Sequence, residues 1–179
     1  MTKALLIVDI QNDYFPGGNM ELVGSVEAAA VAALVKADFN EQGLPVFVIQ
    51  HVAKSPTATF FLPNTSGVEI HESVAPLDGD QVIVKHFPNS FRETVLLENL
   101  REANIDEITI VGMMTHMCID TTTRAANDLG FKVELIENAC ATRDLEHQGV
   151  TVSAAQVQTA YLAALDGSFA KVVSWPTSR

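Results

Sequence analysis

A three-layer α/β/α sandwich, built on a doubly wound, six-stranded, mostly parallel sheet, is the fold class that this 179-residue sequence predicts. Two observations carry it. Short apolar, β-branched runs alternate with helical stretches along the chain, the pattern of buried parallel strands and their crossovers. Three of these runs also end in a chemically competent residue. Asp9 closes Ala4-Leu5-Leu6-Ile7-Val8, Lys85 closes Val82-Ile83-Val84, and Cys118 follows the run 108–114 after a short turn. Parallel strands share one carboxyl edge, where ligands bind. An acid, an amine and a thiol delivered to that edge suit acyl transfer.

The elements follow in order. Residues 3–10 read as the first strand, and 11–24 as a loop with a turn at Phe15-Pro16-Gly17-Gly18. Ser25 suits the N-cap of an Ala-rich helix reaching Gln42, ended by Gly43. Residues 45–50 form the second strand, its leading Pro45 tolerated at that position. From 52 to 79 the periodicity fails, with Pro56, Pro63, Gly67 and Pro76 among Ser, Thr and Asn. So long a loop in a compact domain is expected to be a lid, a binding loop or an oligomer contact. The third strand is 80–86, Thr94 caps a short helix through Asn104, and 107–113 is the fourth strand. A helix opens near Cys118 and runs to Leu129, stopped by Gly130. Residues 131–136, 146–165 and 169–174 read as a strand, the last long helix and a sixth strand. With no internal repeat, low-complexity tract or linker, residues 1–179 are expected to form a single domain.

The net charge of −11 argues against a nucleic-acid partner, which needs a basic footprint. No segment approaches the roughly 20 apolar residues that span a bilayer. Met1-Thr2-Lys3 enters the first strand at once, leaving no room for a secretion signal. Two cysteines do not make a disulfide framework, so a reducing, cytoplasmic setting is expected.

A free thiol, with a pKa of about 8.5, is only a few per cent thiolate at neutral pH. A helix amino terminus at Cys118 would lower that value and offer N–H groups to an oxyanion. The competing reading is a small buried hydrophobe. Asp9, after five apolar residues, needs a partner, unless it serves a turn contact for Asn12 or Asp13. Lys85 alone would read as solvated. Together, an Asp–Lys pair would stabilise both charges while the acid takes the thiol proton.

Three motifs carry a resemblance: Ile7-Val8-Asp9-Ile10-Gln11-Asn12-Asp13-Tyr14-Phe15, Val84-Lys85 with Asn89-Ser90-Phe91, and Val111-Gly112-Met113-Met114-Thr115-His116-Met117-Cys118. In order and spacing, over nearly the whole chain, the sequence resembles the isochorismatase-like cysteine hydrolases. These include nicotinamidases, N-carbamoylsarcosine amidase and streptothricin hydrolase. The resemblance implies an Asp–Lys–Cys triad at Asp9, Lys85 and Cys118. It also implies a cis peptide at Met113–Met114, an oxyanion hole from the Met114 and Cys118 N–H groups, and a homo-oligomer, dimer or tetramer.

Two departures refine it. Metal-dependent nicotinamidases carry an Asp-x-His pair after the second strand. Here Ile49-Gln50-His51 has no acid two residues before His51, and the next histidine is His71, so no metal and no other cofactor is expected. Vinyl-ether-cleaving isochorismatases lack the nucleophilic cysteine, so Cys118 favours C–N hydrolysis of a small molecule through a thioester. Gln11, Phe15, Phe91 and His116 are candidate substrate contacts. For Gln11 the alternative is holding the acid, for His116 a structural hydrogen bond, and for Phe15 and Phe91, as for Phe60 and Phe61, plain core packing. Cys140 reads as a buried bystander. The rival functions are a catalytically silent binding protein, a metal-dependent nicotinamidase, and a dinucleotide enzyme, for which no Gly-x-Gly-x-x-Gly follows the first strand.

Overall fold

The computed structural model describes residues 2–177. Its strands are β1 (Lys3–Val8), β2 (Val46–His51), β3 (Gln81–Lys85), β4 (Glu107–Met113), β5 (Lys132–Ala141), β6 (Leu145–His147), β7 (Val150–Val152) and β8 (Lys171–Val173). The helices are α1 (Ser25–Glu41), α2 (Leu96–Glu102), α3 (Asp120–Asp128) and α4 (Ala154–Leu165). Six strands form one sheet in the order β3-β2-β1-β4-β5-β8. Every adjacent pair runs parallel, so the sheet is wholly rather than mostly parallel. The order reverses between β1 and β4, which opens a crevice at their carboxyl ends.

Alternate residues of each strand feed opposite faces. Leu5 and Ile7 pack with Ala28, Ala32, Val35 and Phe39 of α1. Ala4, Leu6 and Val8 pack with Leu96 and Leu100 of α2, Ala126 of α3, and Leu162 and Leu165 of α4. The rest of the α1 face is covered by Tyr14, Phe15, Phe61, Val68 and Val74, which come from loops. A parallel crossover is usually a helix; between β2 and β3 this apolar loop replaces it. Among the described residues no helix is long and apolar enough to cross a membrane.

That loop is fastened rather than free. His71 N donates to Ile10 O at 2.9 Å, Asn12 N to Glu69 O at 3.0 Å, and Phe61 N to Asp13 Oδ2 at 2.6 Å. Lys36 of α1 pairs with Asp80 at 2.8 Å and donates to the carbonyls of Val74 and Ala75. Residues 61–80 are therefore built into the domain, leaving Lys54 to Thr57 as an exposed turn.

Local departures from the sequence reading have local causes. Gly24, with φ 76°, is the N-cap of α1; Ser25 lies inside the helix and donates to Leu22 O. The helix expected to open near Cys118 begins as a π-helical turn, Thr115–Ile119, before α3. The last helix starts at Ala154, not at 146, with Ser153 and Gln156 forming a capping box. Its expected first turns are the β6–β7 hairpin, whose corner places Gln148 (φ 51°) and Gly149 (φ 77°) in the left-handed region.

Gly112 sets how closely β4 approaches β1. Its φ is 133°, and a Cβ there would lie 2.0 Å from Val8 O. Gly112→Ala combines backbone strain with overpacking and is expected to destabilise the fold by at least about 2 kcal/mol, read as a lower urea midpoint.

Candidate active site

The crevice is furnished by strand ends. Asp9 N makes a ladder bond to Ile49 O at 3.1 Å, and the chain then turns off the sheet through a left-handed Asp9 (φ 53°). Aspartate tolerates this region better than most residues. Lys85 ends β3, two strands or about 9–10 Å from β1. Its side chain spans that gap beneath solvent, and both Lys85 and Asp9 are 0% exposed. Lys85 Nζ lies 2.7 Å from Asp9 Oδ2 and donates to Cys118 Sγ at 3.2 Å. It also meets His51 Nδ1 at 3.1 Å, Phe87 O at 3.1 Å and Pro88 O at 3.4 Å. Apart from that ion pair and the adjacent thiol, neither oxygen of Asp9 has a hydrogen-bond partner among the described residues.

Cys118 rides on the turn after β4. The Met113–Met114 peptide is cis, and Met114 O accepts from Met117 N and Ile119 N at 3.0 and 3.2 Å. Thr115 ties the turn to its neighbours, donating to Gln158 Oε1 at 2.7 Å, with Ala141 O 3.2 Å from the same hydroxyl.

Burial dominates the electrostatics. It pushes the Cys118 thiol far up, the Asp9 charge adds to this, and Lys85 pulls the other way. The expectation of a thiol acidified by a helix amino terminus is therefore corrected: Cys118 sits within a π-helical turn, where burial favours the protonated thiol. Burial also works against the Lys85 ammonium, but Asp9 and Cys118 outweigh it and raise its pKa. His51 is lowered to about 4, chiefly by burial, which Asp9 opposes and Lys85 and His86 reinforce. These directions favour an ammonium on Lys85 beside a neutral thiol and a neutral imidazole.

Donor atoms of Asp9, His51 and Cys118 lie within 4.8 Å of one another, the spacing of a metal site. The set does not suit a metal, because Lys85 Nζ already stands 2.7, 3.1 and 3.2 Å from the three. Two residues before His51 stands Ile49, buried in β2 and without a ligand atom to offer.

The candidate substrate contacts divide. Gln11 is fully buried and commits both Nε2 hydrogens, to His51 O at 2.9 Å and Val68 O at 2.7 Å, leaving none to donate to a substrate. Phe15 is buried with its ring stacked on His71 at 3.6 Å. Phe91 lies against Phe131, which precedes β5 at the opposite edge of the sheet, so it is a packing residue and not a wall of the crevice. His116 Nδ1 is hydrogen-bonded to Thr142 Oγ1 at 2.6 Å. Cys140 is buried, donates to Ile136 O, and has its thiol pushed up to about 12 by burial.

Three nearby residues were not singled out by sequence reasoning. Tyr14, packed on Phe61 at 4.6 Å, has its hydroxyl pushed up by burial and then by the charges of Cys118 and Asp9. Asp13 bridges the two loops through Phe61 N and Asn19 N. Arg143 has a buried Nε without a hydrogen-bond partner and no ion pair among the described residues, yet its charge bears on Tyr14 and His116. Asp13 and Tyr14 lie inside the first motif and Arg143 outside all three, and no local pattern marks their roles.

The isochorismatase-domain family profile matches residues 3–175. The uncharacterized isochorismatase family protein YddQ of Bacillus subtilis is 49% identical over 172 residues, covering 96% of each chain. A crystal structure from Oleispira antarctica, of a protein assigned to the isochorismatase hydrolases, superposes with a TM-score of 0.93 at 49% identity, covering 97% of this chain and 93% of that one. Nicotinamidase 3 of Arabidopsis thaliana is 30% identical, over 91% of this chain and 85% of its own.

His51 gives the site a pH signature. Its folded pKa of about 4 lies below the ordinary 6.5, so between those values the unfolded chain binds more protons. Stability is then lost as pH falls through that window, by up to about 1.4 kcal/mol per unit. Urea midpoints from pH 7.5 to 4.5 should drop more steeply for the wild type than for His51→Asn, which has no proton to bind there.

Proposed function

Because this chain belongs to the isochorismatase family and gathers a thiol, a carboxylate and an ammonium at its switch point, we propose that it is a cysteine-dependent hydrolase. It cleaves a C–N bond, amide or carbamoyl, of a small molecule through a thioester. One observation carries this reading: Cys118 Sγ, 3.2 Å from Lys85 Nζ, shares that ammonium with the Asp9 carboxylate 2.7 Å away. Relatives named as nicotinamidases favour C–N bonds.

Asp9 removes the Cys118 proton as sulfur attacks the carbonyl carbon, because the protonated thiol is a weak nucleophile. The carbonyl oxygen becomes an oxyanion, held by the backbone N–H groups of Met114 and Cys118. The C–N bond breaks as Asp9 passes its proton to the departing nitrogen. Water, deprotonated by Asp9, then attacks the thioester; the acid product leaves and the proton returns to sulfur. Lys85 stays charged throughout and keeps Asp9 anionic between proton transfers. Gln11 holds the strand end behind this centre, and Tyr14 and Phe61 supply its apolar wall.

The half-buried Arg143, which donates to Asp144 O but makes no ion pair among the described residues, supports a substrate that carries an anionic group beyond the scissile bond.

Cys118→Ala is expected to abolish ammonia or amine release from every amide the wild type cleaves, with an unchanged far-UV spectrum; full activity in that variant sinks the mechanism. Arg143→Leu should raise KM for carboxylate-bearing amides by about tenfold or more, the worth of a hydrogen bond to a charge, with little change in kcat.

A further inference from the structure

None of the proposed chemical steps uses His51, yet its backbone and its ring are both held. β1 pairs with β2 only as far as Val8 and Ile49, and the chain then leaves the sheet at Asp9. The backbone of His51 therefore has no β1 partner. The side-chain amide of Gln11 fills that place, accepting from His51 N at 2.7 Å and donating to His51 O at 2.9 Å. One side chain thus extends the ladder by the one residue needed to fix the imidazole.

The ring's chemistry follows from its neighbour. Lys85 has only hydrogens to offer, so His51 Nδ1, 3.1 Å from Nζ, accepts and the ring proton sits on Nε2. An ammonium carries three hydrogens. Around Lys85 Nζ stand Asp9 Oδ2, Cys118 Sγ, His51 Nδ1 and the carbonyls of Phe87 and Pro88. Without the imidazole, the ammonium would be free to turn toward the charged acid and the two carbonyls, away from sulfur.

We propose that His51, clamped by Gln11, is a positioning residue that orients the Lys85 ammonium between Asp9 and Cys118. It touches no reacting atom in this role. The kinetic arm of the proposal rests on the hydrolase reading; the spectroscopic and alkylation arms do not. The charged and titratable groups facing the ring are Asp9, Lys85, Cys118 and His86, and Phe61 packs against it at 5.8 Å.

The test uses three variants of the full chain. Asn places an amide oxygen where Nδ1 stands, Gln reaches instead toward the place of Nε2, and Leu supplies no acceptor. In the wild type, imidazole 15N spectra should show His51 with Nδ1 unprotonated and Nε2 protonated throughout pH 5.5–9. Iodoacetamide should alkylate Cys118 in His51→Asn within about twofold of the wild-type rate at neutral pH. His51→Leu and His51→Gln should be slower by about tenfold or more, with the rate profile moved to higher pH, as when an outer hydrogen-bond partner is lost. Amide turnover should follow the same order. Should the Leu variant fail to fold, the Asn and Gln pair decides. A proton on Nδ1, or Asn and Gln variants that behave alike, overturns the proposal. If no amide is cleaved while the spectra and alkylation behave as expected, the hydrolase reading fails and the positioning role stands.

Discussion

The Asp9–Lys85 ion pair is the constraint around which the crevice is arranged. Both groups are fully buried, and burying an ion pair is costly unless the remaining hydrogen-bonding capacity is met. Lys85 meets it with His51 Nδ1 at the end of β2 and with Phe87 O and Pro88 O just beyond β3. Asp9 does not: beyond the Lys85 ion pair, its neighbours are the thiol and a His51 Nδ1 held 3.9 Å away, and neither oxygen has a further hydrogen-bond partner among the described residues. An under-satisfied carboxylate is costly to stability and useful to chemistry, because a proton is what it lacks. The left-handed backbone at Asp9 belongs to the same arrangement, aiming the acid into the crevice instead of along the strand.

That arrangement explains how the loop before β3 is used. With no crossover helix on that side, Tyr14, Phe61 and Val68 must be brought over the sheet by other means. Asp13 and Asn12 do so by hydrogen bonds to Phe61 N and Glu69 O, and Gly67 leaves room for the Asp13 carboxylate, which a Cβ there would meet at 2.2 Å. The segment that carries Asp9 therefore also carries the hooks for its own cover. Cover and acid are coupled, and the same hooks exclude water from the ion pair.

The strand ends that deliver Asp9, Lys85 and Cys118 were legible because a buried parallel strand leaves a continuous apolar run, and a polar residue closing such a run stands out. The fate of polar side chains was less legible. Gln11 reads equally well as a substrate donor or a clamp, and only its contact with His51, forty positions away, decides. Phe91 follows a motif residue closely but turns to the far edge of the sheet. The stretch 146–165 reads as one helix, yet it opens with the β6–β7 hairpin, where β-branched Val150-Thr151-Val152 follows a Gln-Gly corner. The strong helical pattern downstream absorbed it, and the capping box at Ser153 was the signal that should have limited the helix.

The protonation pattern accounts for the choice of a lysine here. A thiolate held permanently beside Asp9 would place two negative charges in a buried crevice, and both burial and the acid oppose that by raising the thiol's pKa. A divalent cation could offset the charge, but the Lys85 ammonium already stands among the donor atoms of Asp9, His51 and Cys118. The ammonium of Lys85 does so with a single charge and no open coordination position. In the proposed reaction it balances one negative charge at a time, whether that charge is on Asp9 before proton transfer or on sulfur after it. Net charge at the centre is therefore the same on both sides of the transfer, so proton and negative charge move a few ångströms with little reorganisation of the surroundings.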